Sequence, residues 1–435
     1  MGKDVGEVCR ITRNGVSVCV YSNEALHSFH LSLFIRSGSM HETEDESGIS
    51  HFFEHAAIRN VNRIMDGRLY SLLDERGVEF NASTYSEMTH FFVGGATKNF
   101  GFARDVLLKV FSPIILDKAE IEAERARIKA EIRESDERTS LTAFTNGVVH
   151  QGTSLARSIA GSLGSVGAIS KRRLEEYRKR TLVAENIFFY VTGNVSDTDL
   201  DSLVSAIEEL RLERGACSSN AAPVSRNFGK REQSVHIKNA DFTMVRFTFD
   251  LDMTSLTLAE TDIVYDALLS GYSSEIFTEL SERRGLFYDV SGSLERYSNI
   301  GTLSFSFEVR SSLLYESVQS AVDVLLSMKR KLLPEGRCMR AAYVDNAYML
   351  YDDPRELNFT FAYDNHIMNA GYAGISQRAS AYSEITPVRV RELARKIFTL
   401  KNLTFTMKGA KKRTDENRLA EILSFLDSEA LSKEK

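Results

Sequence analysis

Two short motifs recur in this chain at nearly one period. Leu73-Asp-Glu-Arg-Gly77-Val-Glu-Phe80 returns as Leu280-Ser-Glu-Arg-Arg-Gly285-Leu-Phe-Tyr288, with one Arg inserted. Asn186-Ile-Phe-Phe-Tyr-Val-Thr-Gly193 returns as Asn402-Leu-Thr-Phe-Thr-Met-Lys-Gly409. The offsets are 208 residues (Gly77 to Gly285) and 216 residues (Asn186 to Asn402). Self-similarity at a fixed spacing means one architecture used twice. A chain of 435 residues is also longer than one core usually supports. We therefore expect two similar domains, residues 1–213 and 233–435. The segment 214–232 between them is small, polar and aperiodic, and reads as a linker.

Inside each half two periodicities alternate. His27 to Arg36 places Phe29, Leu31, Leu33 and Ile35 on one side, the pattern of a half-buried strand. Met88 to Gly94, Asn186 to Gly193, Met244 to Leu251 and Thr302 to Val309 are strand-like as well. Ser47 to Arg59, Asn99 to Val110, Lys118 to Glu134, Leu256 to Leu269 and Leu314 to Lys331 read as helices. Hairpin-like strands alternating with groups of helices predict an α+β fold, each domain a mainly antiparallel sheet packed with helices.

The chemistry concentrates at His51-Phe-Phe-Glu54-His55. On a helix, positions i, i+3 and i+4 share a face, so His51, Glu54 and His55 point together. Ile49, Phe52, Phe53 and Ala56 supply the opposite, apolar face. Such a helix is buried on both sides, and three buried polar groups are costly unless something satisfies them. A zinc ion does so, with two imidazoles, one further protein ligand and a water, and the Glu is then placed to take that water's proton. The competing reading is a surface helix with incidental histidines, and the two phenylalanines argue against it.

A third ligand must come from elsewhere. In Lys118 to Glu134 the apolar seam of Ile121, Ile128 and Ile132 also carries Glu124 and Glu131. Carboxylates on an apolar seam call for a partner, and a metal is a good one. The seam alone does not decide between the two glutamates, and a long amphipathic helix that tolerates both remains the bland alternative.

Composition excludes other classes. The chain is 43% hydrophobic, enough for large cores, and its net charge of −6 with no dense basic run gives no nucleic-acid footprint. No run of apolar residues is long enough for a membrane span. Cys9, Cys19, Cys217 and Cys338 show no close pairs. Free thiols, a reducing compartment and a cytoplasmic location are therefore expected. No signal core or transit-like segment is evident in the first 30 residues.

These residues resemble the insulinase and mitochondrial-processing-peptidase family M16, in its shorter two-domain form, over nearly the whole chain. Ser37-Gly38-Ser39 with Glu42, and Gly48-Ile-Ser-His51-Phe-Phe-Glu54-His55, look like the family's zinc segment. The resemblance implies one zinc per active chain, held by His51, His55 and Glu131. It implies Glu54 as general base and Glu124 as a companion beside the ligands. Asn81-Ala82-Ser83-Thr84 is similar to the strand whose edge pairs with substrate backbone. Two chains would close over a peptide, and Tyr288 would reach the developing oxyanion across the dimer. The family's Arg, seven residues before that Tyr, is Ser281 here, and Arg283 or Arg284 is a candidate substitute. That departure raises a heterodimer whose related partner carries the Arg/Tyr pair, beside the homodimer. Removal of a leader from one specific precursor is an alternative activity. A non-catalytic scaffold would be expected to lose ligands that are intact here.

Overall fold

A computed structural model describes residues 6–135, 140–219, 221–223, 231–236, 241–270, 273–286, 290–334, 340–409 and 414–428. The chain forms two compact units, and both are discontinuous in sequence. The first contains residues 1–137, 152–223 and 347–378; the second contains 138–151, 224–346 and 379–435. The sequence places the division at 214–232, whereas the helix Leu141–Val149 packs in the second unit and the helix Pro354–Phe361 in the first.

The first unit is built on a six-stranded sheet. Its strands are β1 (Val8–Ile11), β2 (Ser17–Ser22), β3 (Ser28–Ile35), β4 (Glu79–Thr84), β5 (Thr89–Ala96) and β6 (Ile187–Gly193), in the order β1-β2-β6-β3-β5-β4. Only the β2/β6 pair is parallel. The second unit carries β7 (Arg231–His236), β8 (Phe242–Asp252), β9 (Val290–Arg296), β10 (Ile300–Arg310) and β11 (Leu403–Gly409), in the order β7-β11-β8-β10-β9. Again one pair, β7/β11, is parallel. Without β1 the two orders correspond strand for strand, so the repeat in sequence is a repeat in topology. Each unit is α+β, with a mixed, mainly antiparallel sheet packed with helices.

The repeated motifs have physical reasons. Asn186 and Asn402 each precede the inner strand that follows a helix. Asn186 donates its amide to Thr181 O at 3.0 Å, and Asn402 donates to Lys396 O at 3.1 Å and Ile397 O at 3.2 Å. Each side chain thereby satisfies carbonyls that the helix end leaves without partners. Gly77 and Gly285 both adopt φ +60°, the left-handed turn that glycine enters without strain.

Cys9 and Cys19 correct the expectation of free thiols. They are direct partners across β1 and β2 and form a disulfide. The two strands are joined through Thr12–Val16, so cysteines ten residues apart in sequence meet face to face. The reducing compartment inferred from unpaired cysteines loses that support. Cys217 is free and exposed, and Cys338 lies outside the described residues. Among the described residues no helix is long and apolar enough to cross a membrane.

The helix Ile49–Ile64 is fixed at both its start and its buried face. Ile49, Phe52, Phe53 and Ala56 are fully buried in the first unit's core. Burial of each large side chain contributes roughly 1.5–3 kcal/mol. At the N-terminus the buried Glu42 carboxylate accepts from Gly48 N at 2.7 Å and Ser50 N at 2.8 Å. Gly48 has φ +90°, and a Cβ there would meet Ala160 O at 2.6 Å. Gly48→Ala is therefore expected to cost about 2–4 kcal/mol, from left-handed strain plus the backbone clash. Chemical denaturation of the purified variant checks this, with the midpoint shifted and the slope unchanged.

Candidate metal centre

His51, Glu54 and His55 emerge from one face of the Ile49–Ile64 helix, and their ligand-type atoms lie within 4.8 Å of one another. The helix Lys118–Glu134 lies across them, with Asp117 capping its N-terminus through Glu120 N. Glu131 Oε2 stands 3.9 Å from His51 Nε2 and 3.6 Å from His55 Nε2. These separations are too long for hydrogen bonds. They are close to the spacing of about 3.4 Å that two tetrahedral zinc bonds of about 2.0–2.1 Å impose on their donor atoms. Two imidazole nitrogens and a carboxylate thus face a gap that no hydrogen bond among the described residues bridges, a donor set that suits zinc.

Protonation states agree with that role. Burial, reinforced by the neighbouring His55, brings the His51 imidazole down to about 4, so it is neutral near pH 7, as a ligand must be. The His51 Nδ1 atom is buried without a hydrogen-bond partner.

Glu124 does not face the gap. Its Oε2 lies 3.3 Å from His55 Nδ1, and its Oε1 accepts from the Arg59 guanidinium. Burial alone would raise this carboxyl, but the contacts with His55 and Arg59 hold it below its ordinary value. A carboxylate on Nδ1 sets the imidazole tautomer, turns Nε2 toward the gap and raises its basicity, as outer partners of metal-binding histidines do. No motif in the sequence marks Arg59, although it follows His55 by one helical turn on the same face. Glu124→Gln is expected to weaken zinc binding by about 10–100-fold with little loss of fold. Competition with a chromophoric chelator measures it.

Glu54 is 9% exposed and accepts a hydrogen bond from the Thr84 hydroxyl at 2.6 Å. Burial pushes its carboxyl above the usual value, against the opposing pull of Thr84 and His55. Thr84 ends β4, the terminal strand of the sheet, so Glu54 is tied to an edge strand that among the described residues pairs only with β5. Asn81 and Ala82 lie on that strand, Asn81 exposed and Ala82 buried, with Asn81 Oδ1 accepting from Ala82 N at 2.9 Å.

The C-terminal candidates behave differently. Arg283 and Arg284 both pair with Glu279, at 3.0 Å and 2.9 Å. Ser281 lies in the same turn, in the π-helical stretch Phe277–Arg283, and Tyr288 lies outside the described residues. Among the described residues the second unit offers no cluster of metal-ligating side chains.

Comparison with known proteins fits this picture. Residues 18–162 match the family model described as insulinase (peptidase family M16), and residues 168–342 match the model described as peptidase M16 inactive domain. An uncharacterized zinc protease of Mycobacterium leprae is 23% identical over 416 residues, covering 90% of this chain and 89% of that protein. The mitochondrial-processing peptidase beta subunit of Rattus norvegicus is 27% identical over 189 residues, 43% of this chain and 38% of its own length. A protease from Helicobacter pylori of known structure has the same fold, with a TM-score of 0.83 at 16% identity, covering 92% of this chain and 99% of its own. Matched in consecutive segments by both domain models, and along most of its length by zinc proteases, the chain belongs to peptidase family M16.

Proposed function

We propose that this chain is a zinc-dependent endopeptidase that cuts peptides or unfolded segments. The observation that carries the reading is the unbridged gap between His51 Nε2, His55 Nε2 and Glu131 Oε2, with Glu54 alongside. In it His51, His55 and Glu131 hold one zinc ion. When bound, zinc supplies Lewis acidity to the attacking water and the scissile carbonyl. Glu54 accepts the water's proton and passes it to the leaving amine, a role that its raised proton affinity suits. Thr84 aims the Glu54 carboxylate, and Glu124 with Arg59 orients His55. The outward edge of β4, with Asn81 and Ala82, pairs with substrate backbone as an added strand, which places the scissile bond beside Glu54.

A dimeric chamber belongs to the same reading. Arg284 is held by Glu279 and has no assigned role, while Tyr288 remains the candidate oxyanion donor toward a partner chain. A mixed peptide library incubated with the purified chain tests the proposal. Internal cleavage that stops on chelation and returns with zinc is expected. An uncut library from zinc-loaded protein rules out self-sufficiency and redirects the test to a related chain carrying the Arg/Tyr pair.

A further inference from the structure

A second group of ligand-type side chains sits at the β1 edge of the first unit's sheet and shares no residue with the His51 centre. Besides Cys9 and Cys19 it includes Glu7, just before β1, and His366, in the helical turn Ala362–Ile367. One donor atom from each of the four lies within 4.8 Å of the others. His366 Nε2 is 2.7 Å from Glu7 Oε1 and 3.9 Å from Cys9 Sγ. Cys9 Sγ in turn is 3.1 Å from Glu7 Oε1.

The second carboxylate oxygen is spoken for. Glu7 Oε2 accepts from the Tyr190 hydroxyl at 2.7 Å and from the Asn365 amide at 3.0 Å. Those bonds turn Oε1 toward His366 and the sulfur. Outer hydrogen bonds that aim one oxygen of a carboxylate are what metal ligands receive. A hydrogen bond accounts for Glu7 with His366 and the disulfide for the two sulfurs, but neither requires all four donor atoms to gather within 4.8 Å.

We propose that Glu7, Cys9, Cys19 and His366 form a redox-gated site for a divalent ion of the zinc class, closed by the disulfide and assembled on its reduction. A disulfide sulfur is a poor ligand and a thiolate a strong one. Two thiolates, an imidazole and a carboxylate suit a borderline-soft tetrahedral ion. Reduction is by a dithiol. One of its thiolates attacks the sulfur of Cys9, the more exposed residue of the pair, the S–S bond breaks and Cys19 leaves as thiolate. The dithiol's second sulfur then displaces Cys9, so the reductant becomes a disulfide and two electrons pass to the protein. On metal binding the two cysteine thiols release two protons. In one redox state a covalent staple ties β1 to β2, and in the other a metal ties both to the His366 turn.

The test uses the full chain in a Cys217→Ser, Cys338→Ser background, which removes the other thiols. Oxidised and dithiol-reduced samples are desalted under argon, loaded with excess Zn²⁺ and counted. The reduced form should hold one more zinc per chain than the oxidised form, and this difference is independent of the His51 centre. Co²⁺ in place of zinc should give a thiolate-to-metal charge-transfer band in the reduced form alone. Glu7→Gln, which keeps the side chain's shape, and His366→Ala should each weaken the extra ion by more than about tenfold, the lower bound for loss of an outer partner. Equal zinc in the two forms overturns the proposal. So does an extra ion that survives joint Cys9→Ser and Cys19→Ser substitution, or one indifferent to both Glu7→Gln and His366→Ala.

Discussion

Glu54→Gln is expected to lower kcat for peptide hydrolysis by about 10²–10⁴-fold while zinc content and KM stay near those of the unsubstituted protein. Glutamine keeps the shape of the side chain and an oxygen to accept the Thr84 hydroxyl. What it loses is basicity. The carboxylate is buried, and burial raises its affinity for a proton, which places it nearer neutral pH than an exposed glutamate. A proton acceptor beside the ligands that is not itself a ligand affects turnover without affecting metal retention. Loss of zinc in Glu54→Gln would instead make Glu54 part of the ligand set.

The second large effect is on the metal. His55→Ala is expected to release zinc on desalting, a loss beyond the about 10–100-fold that follows removal of an outer partner. His55 is the hinge of the site, facing Glu131 through Nε2 and Glu124 through Nδ1. Without it the Glu124 carboxylate, only 5% exposed, keeps Arg59 as its remaining named partner. The fold should tolerate this better than the metal does, because the helix's apolar face, with Phe52 and Phe53, is untouched. Glu131→Gln provides the control. Its side chain is 39% exposed, so metal loss there comes with little change in stability. Elemental analysis with circular dichroism separates the two effects.

Much of this was legible in the residues. The motif His51-x-x-Glu54-His55 and the seam carrying Glu124 and Glu131 are helical periodicities, and the helix Lys118–Glu134 has the bounds that its pattern predicts. The repeat at Gly77 and Gly285 reflects a backbone requirement that sequence records directly. The seam could not assign the two glutamates their different positions. They lie seven residues apart on one face, and only the crossing of the two helices brings one to Nδ1 and the other to Nε2 of His55. Thr84 and Arg59 were equally hidden as partners, because an ordinary strand-end threonine and a helix arginine carry no signal of what they touch. The Cys9–Cys19 bridge has no signature in close cysteine spacing, because a short hairpin joins cysteines ten residues apart. The discontinuous units escaped because Leu141–Val149 and Pro354–Phe361 have patterns that show an apolar face but not which sheet it covers.

The most direct test of the zinc centre is diffraction from crystals of the purified chain, recorded at the zinc absorption edge. One anomalous peak per chain, bonded to His51 Nε2, His55 Nε2 and a Glu131 oxygen at about 2.0–2.2 Å, is the expected result. Zinc bound elsewhere with these three side chains uncoordinated, or Glu124 in place of Glu131 as the carboxylate ligand, would contradict it.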